Sequence, residues 1–91
     1  MITVRHAQGD EWLVTVTAAI TTEHRVRLSK KEHEQLSAGK SSEELIEESF
    51  RFLLERETNT SILSSFELPL IGRYFPEYED EIRRRLGKPN R

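Results

Sequence analysis

The stretch HRVRLSKKEHEQLSAGKSSEELIEESFRFLLERE, His24 to Glu57, decides how this chain is read. It predicts a short strand, a short helix, a turn and a longer helix. In HRVRL, Val26 and Leu28 fall on one side and Arg25 and Arg27 on the other, the period-two pattern of a half-buried strand. Ser29 with Glu32, and Ser41 with Glu44, have the spacing of capping boxes, in which each side chain satisfies a free N–H of the other residue. The first helix is read over residues 30–37, and Gly39 ends it as a left-handed C-terminal glycine does. The second is read over 42–57. Its Leu45, Ile46, Ser49, Phe50, Phe52, Leu53 and Leu54 cover an arc of roughly 200° at 100° per residue. One partner cannot bury so wide an arc. The helix is therefore expected at the centre, between a sheet and the C-terminal helices. Ser49, a small residue in mid-arc, marks a place where something approaches closely.

Upstream, ITVRHAQ (2–8) and WLVTVTAAI (12–20) alternate in the same way, and Gly9-Asp10 supplies a turn between them. Trp12, Val14, Val16, Ala18 and Ile20 share one face. Thr21 to Glu23 read as a polar break. The three runs predict an antiparallel meander with one wet face carrying Thr3, Arg5, Thr15, Thr17, Arg25 and Arg27. Downstream the pattern shortens. Ile62, Leu63 and Phe66 suggest a short helix over 61–66. Pro69 opens a turn, and Pro76 opens a last helix over 76–86 with Tyr78, Ile82 and Leu86 on one stripe. Gly87 and Pro89 stop it, leaving 88–91 as a frayed tail.

Ninety-one residues make one domain. The apolar share of 35% and charged share of 33% suit a small soluble domain whose apolar residues are patterned rather than scattered. With no cysteine, disulfides, thiolate zinc sites and cysteine nucleophiles are excluded. No apolar run reaches membrane-spanning length, and the start has no secretory h-region, so a cytoplasmic protein without a membrane partner is expected. The net charge of −2 conceals an asymmetry: residues 32–81 hold thirteen acidic and four basic residues, and 82–91 hold five basic and none acidic. An acidic middle suits a solvated helix face, or a basic protein partner.

Enzymatic motifs are missing. SAGKSS ends like a phosphate-binding loop, but Glu34 stands where that loop needs its first glycine. Glu32-His33-Glu34 are adjacent and point to different sides of a helix, and no HExxH spacing exists. His6 and His24 would meet only on neighbouring strands. No GxSxG elbow is present. Neither catalytic residues, nor a metal, nor a cofactor are expected. Two segments remain. Leu70, Ile71, Tyr74, Phe75 and Tyr78 either staple the last helix to the core, or some of them, Tyr74, Phe75 and Tyr78 foremost, form a protein-interaction patch. The basic end RRRLGKPNR either touches phosphate or acidic lipid, or complements a helix C-terminus.

Over Glu23 to Glu57 the chain resembles the ribbon-helix-helix DNA-binding regulators: RVRLS is similar to their ribbon and SSEELIEESFRFLLERE to their second helix. The resemblance implies a dimer with paired ribbons. Arg25 and Arg27 would then read bases, Arg5 would add charge to the same face, and Ser41 and Ser42 would clamp a phosphate. Three features depart from the family: the first helix is short, WLVTVTAAI can pair with the ribbon inside one chain, and Glu43 and Glu44 would face phosphate. HRVRLS, EELIEESFRFLLERE, SIL and YFPEY together also resemble a group of short bacterial proteins, a likeness that brings no function with it.

The expectation is an α+β fold in a single domain. A three-stranded meander (1–29) packs on a helical part (30–87) centred on helix 42–57. The leading functional expectation is a non-enzymatic protein-interaction module, an adaptor or antitoxin-like protein with a basic partner. The alternative is a dimeric ribbon-helix-helix-like DNA-binding regulator. The expected core is Val14, Val16, Val26, Leu28, Leu36, Leu45, Ile46, Phe50, Leu53, Leu54, Ile62, Leu63, Phe66, Ile71 and Ile82.

Overall fold

A computed structural model describes residues 1–87; the expected frayed tail, 88–91, lies outside them. Strands β1 (Ile2–Gln8), β2 (Glu11–Val16) and β3 (Thr22–Arg27) form the antiparallel meander. Helices α1 (Lys30–Leu36) and α2 (Ser42–Leu54) follow, then a 3-10 turn at Asn59–Ser61. A fourth strand, β4 (Ser65–Glu67), lies parallel to β3 and completes a sheet of order β1-β2-β3-β4. A 3-10 turn at Leu68–Leu70, α3 (Ile71–Tyr74) and α4 (Tyr78–Gly87) complete the chain. The fold is α+β, with the helices on one face of the sheet.

Register explains which sheet face is dry. Val4, Val14 and His24 stand in one row, and His6, Trp12, Val26 and Phe66 in the next. Val14, His24 and Val26 are buried there, and Phe66 nearly so. On the opposite face Arg5, Leu13, Arg25 and Ser65 form one row, and Glu11, Arg27 and Glu67 another. Leu13 is half-buried between two arginines, whose long apolar stems can cover it.

Both helix starts are capped as their serines foretell. The Ser29 Oγ accepts from the Glu32 N–H at 3.1 Å while the Glu32 carboxylate accepts from the Ser29 N–H at 2.9 Å. Ser41 and Glu44 repeat the arrangement. After α1 the chain reverses through Ala38 (φ +52°) and Gly39 (φ +83°). The His33 Nε2 donates to the Lys40 carbonyl at 2.7 Å and closes this turn.

Helix α2 is central. Phe50 faces the sheet, 5.4 Å from the His24 ring and 6.0 Å from that of Phe66. Phe52 faces the other way and meets Phe75 and Tyr78 edge-on at 5.8 and 5.4 Å. Each aromatic pair of this kind adds about 0.5–1.5 kcal/mol beyond its buried area. The Ser49 in mid-arc receives the Tyr78 hydroxyl at 2.7 Å.

Several expectations are corrected. The segment 61–66 is not a helix. The β3 edge away from β2 takes this segment as a strand instead: the Arg25 N–H donates to the Ser64 carbonyl at 2.8 Å, and the chain continues into β4. Strand β2 ends at Val16, so Ile20 lies in a bend and is exposed. The polar Thr22 and Glu23 belong to β3. Leu63 is exposed and Leu54 half-buried, whereas Phe52, Leu68, Tyr78 and Leu86 join the core. His6 and His24 do not meet, because β2 runs between their strands.

Candidate interaction site

Where β4 gives way to α3, the last turn of α2 leaves an open groove of about 260 Å³. Its walls are apolar: Leu53 from α2, Ile62 and Leu63 from the segment entering β4, Phe66 from β4, and Leu70, Ile71, Tyr74 and Phe75 beyond it. Glu57 and Ser61 supply the polar rim. The volume lies below the roughly 300–1,000 Å³ of pockets that enclose drug-sized ligands, and it has room for a large apolar side chain. Leu63 is 47% exposed and Tyr74 65% exposed, and both line this groove.

Hydrogen bonds hold the walls. His24 is buried on β3, and its Nδ1 lies 2.7 Å from the Leu63 carbonyl. A carbonyl only accepts, so Nδ1 carries the proton. The other ring nitrogen, Nε2, lies 2.9 Å from the Thr22 Oγ1, which in turn accepts from the Asn59 Nδ2 at 2.9 Å. Asn59 also donates to the Ile20 carbonyl at 2.7 Å. This polar chain pins the segment before β4 to the sheet and sets the height of Leu63.

The opposite wall is carried by α3 and α4. The Arg85 guanidinium contacts Glu55 at 2.7 Å, Glu81 at 2.9 Å and Glu48 at 3.3 Å. Hydrogen bonding from Arg85 holds the Glu55 and Glu81 carboxyls below the usual range. Arg56 stacks its guanidinium 3.6 Å from the centre of the Phe52 ring and pairs with Glu77. Arg83 donates to the Gln35 carbonyl at 3.2 Å and ties α4 to α1. Glu48, Glu55, Glu79, Asp80 and Glu81 of the acidic middle thus meet the arginines of α4 within the chain, and Arg83 to Arg85 are occupied by these carboxylates and by backbone.

The residues expected at a site are distributed as follows. Tyr74 and Phe75 line the groove together. Tyr78 does not join them: it is fully buried behind the groove, and burial pushes its phenol well above the ordinary value. Leu70 and Ile71, read with the same aromatic segment, also line the groove, whereas Leu63 and Glu57 are groove residues that sequence reading misses. No local signal marked Leu63, which the sequence pattern places in the core and which stands exposed just before β4.

Arg5 and Arg25 share a row on the outer sheet face, and Arg27 stands in the next. Arg25 is paired with Glu11 at 3.0 Å. Both edges of β3 are taken, by β2 and by β4, so the edge that a ribbon from a second chain would need is occupied. At the start of α2 the Glu44 carboxylate accepts from the Ser41 N–H and Oγ, and the Ser41 Oγ accepts from the Glu44 N–H, so a negative charge already stands at the helix end that a phosphate would approach. Ser42 follows as the first helical residue and is half-buried. Among the described residues no three His, Asp or Glu side chains are grouped as metal ligands would be, and no helix is long and apolar enough to cross a membrane.

No family model, curated protein or solved structure matches the chain. What it does must be read from the groove and its surroundings.

Proposed function

We propose that this chain is a non-enzymatic protein-interaction module, of the adaptor or antitoxin-like kind, that receives an apolar side chain of a partner protein in the groove. One observation carries the reading. Leu63 and Tyr74 belong to different elements, yet both leave their apolar surface exposed on the same concavity. Two exposed apolar side chains on the walls of one depression give an apolar side chain of another molecule a surface to pack on. The groove is too small for most cofactors and has a single charged residue on its rim, which suits side-chain recognition better than catalysis. The DNA-binding alternative through Arg5, Arg25 and Arg27 has less support, because β3 has no free edge and Arg25 is engaged by Glu11.

The test is selection of a display library of random short peptides on the whole chain. Selected peptides should bind the Leu63→Asp variant at least about tenfold more weakly, the effect of losing one well-buried apolar contact. That variant should keep its circular dichroism and melting temperature, since Leu63 is half exposed. Peptides that bind Leu63→Asp as tightly as the parent chain would overturn the reading. So would binding of a random-sequence DNA duplex that Arg25→Ala and Arg27→Ala abolish, together with failure to select any peptide.

A further inference from the structure

We infer that the segment filling this groove is basic: a short peptide that seats one large apolar side chain between Leu63 and Tyr74 and sets a Lys or Arg against Glu57. The inference rests on the protein-interaction reading and adds the chemistry of the partner. Glu57 is half-buried on the groove rim and, among the described residues, has no ion-pair partner. It differs in this from its neighbours in sequence: Glu55 is held by Arg85 and Arg56, and Arg56 is itself occupied by Glu55 and Glu77.

A second depression, of about 350 Å³, adjoins the first, and Leu70 is a wall of both. It is lined by Glu32, Glu67, Pro69, Leu70 and Arg73. Among the described residues Glu67 also lacks an ion pair, and Glu32 caps α1 through one carboxylate oxygen. The linings of the two depressions carry three carboxylates, Glu32, Glu57 and Glu67, and one guanidinium, that of Arg73, while Arg27 stands beside Glu67 in the outer row of the sheet. A segment seated in the first depression therefore meets an unpaired carboxylate, Glu57, beside its apolar wall. An acidic segment would be repelled there. A neutral one would leave Glu57 partly desolvated without a counter-charge.

The chain selected against random displayed peptides should enrich sequences that combine a bulky apolar residue with a nearby Lys or Arg. The best of these, made synthetically, should lose about fivefold in affinity on Glu57→Gln, as for a half-exposed ion pair. It should lose more when its own Lys or Arg is changed to Glu, and it should weaken as salt rises. If the enriched peptides lack basic residues, or Glu57→Gln leaves affinity unchanged while Leu63→Asp still abolishes it, the basic partner is wrong and the groove stands. If Leu63→Asp binds as well as the parent chain, or nothing is enriched, the groove reading falls and this inference falls with it.

Discussion

The Tyr78 hydroxyl of α4 lies 2.7 Å from the Ser49 Oγ in the middle of α2, and both side chains are fully buried. The Ser49 hydroxyl donates to the Leu45 carbonyl at 2.7 Å, so the Tyr78 O–H is the donor in the bond between them. Tyr78→Phe removes one donor and leaves Ser49 satisfied; it should cost about 1 kcal/mol in urea unfolding. Ser49→Ala strands a buried phenol and should cost more, about 1–3 kcal/mol. The double variant should lose less than the two singles combined. Strict additivity would show that the bond contributes nothing specific.

The same phenol sets an alkaline limit. Burial raises its value in the folded chain. The stability it contributes is complete below the unfolded tyrosine range, about pH 10, and is lost as pH climbs toward the folded value. Tyr78→Phe should flatten the part of the stability profile above about pH 10. An unchanged alkaline slope in that variant would assign the slope to other groups.

On the acid side the network around Arg85 acts in the opposite sense. Glu55 and Glu81 have depressed values because Arg85 donates hydrogen bonds to them. Their contribution is present above the usual carboxylate range and disappears as pH falls through the folded values. Arg85→Met should lower stability by about 1 kcal/mol at neutral pH, since its ion pairs are partly exposed. It should also make acid unfolding less steep, and added salt should shrink the difference from the parent chain.

Ala38 occupies the left-handed region at φ +52°, where a Cβ costs roughly 1–2 kcal/mol. Replacing it with glycine relieves that cost and adds back some chain entropy. The expected net effect of Ala38→Gly is a gain of about 0.5–1 kcal/mol, seen as a melting temperature higher by a few degrees. Gly39→Ala, at φ +83°, should lose about 1 kcal/mol or more. Calorimetry on both variants checks the pair.

His24 should be the Nδ1–H tautomer in its neutral form, because Nδ1 faces the Leu63 carbonyl and Nε2 faces a hydroxyl that can donate. Long-range proton–nitrogen correlation spectra report the tautomer directly. An Nε2–H imidazole would contradict this wiring. Thr22→Val breaks the polar chain at its centre and leaves the Asn59 amide with the Ile20 carbonyl alone; a loss of about 1–3 kcal/mol is expected.

The groove and the fold were not equally legible. The meander, α1, α2 and α4 are marked by local signals: strict alternation, two serine–glutamate boxes, a glycine after α1 and prolines before the later turns. These signals act within a few residues, through backbone sterics and short hydrogen bonds, and one sequence displays them in full. Even Ser49 in the arc of α2 announced a close neighbour, although not that the neighbour would be Tyr78.

The remainder was decided by tertiary structure. Strand β4 has three residues and a single inward side chain, Phe66, and pairs with the β3 edge away from β2. Leu63, just before it, stands exposed and, with α3 opposite, lines the groove. Tyr78 went inward because Ser49 left space and a hydrogen-bond partner, while Tyr74, four residues earlier, stayed at the surface. The charge asymmetry was plain in the sequence, but only the packing of α4 on α2 showed that Arg85 meets Glu48, Glu55 and Glu81, while Glu57 is left without such a partner among the described residues. Local propensity acts over one or two turns of chain, whereas edge pairing, close packing and charge matching join residues tens of positions apart.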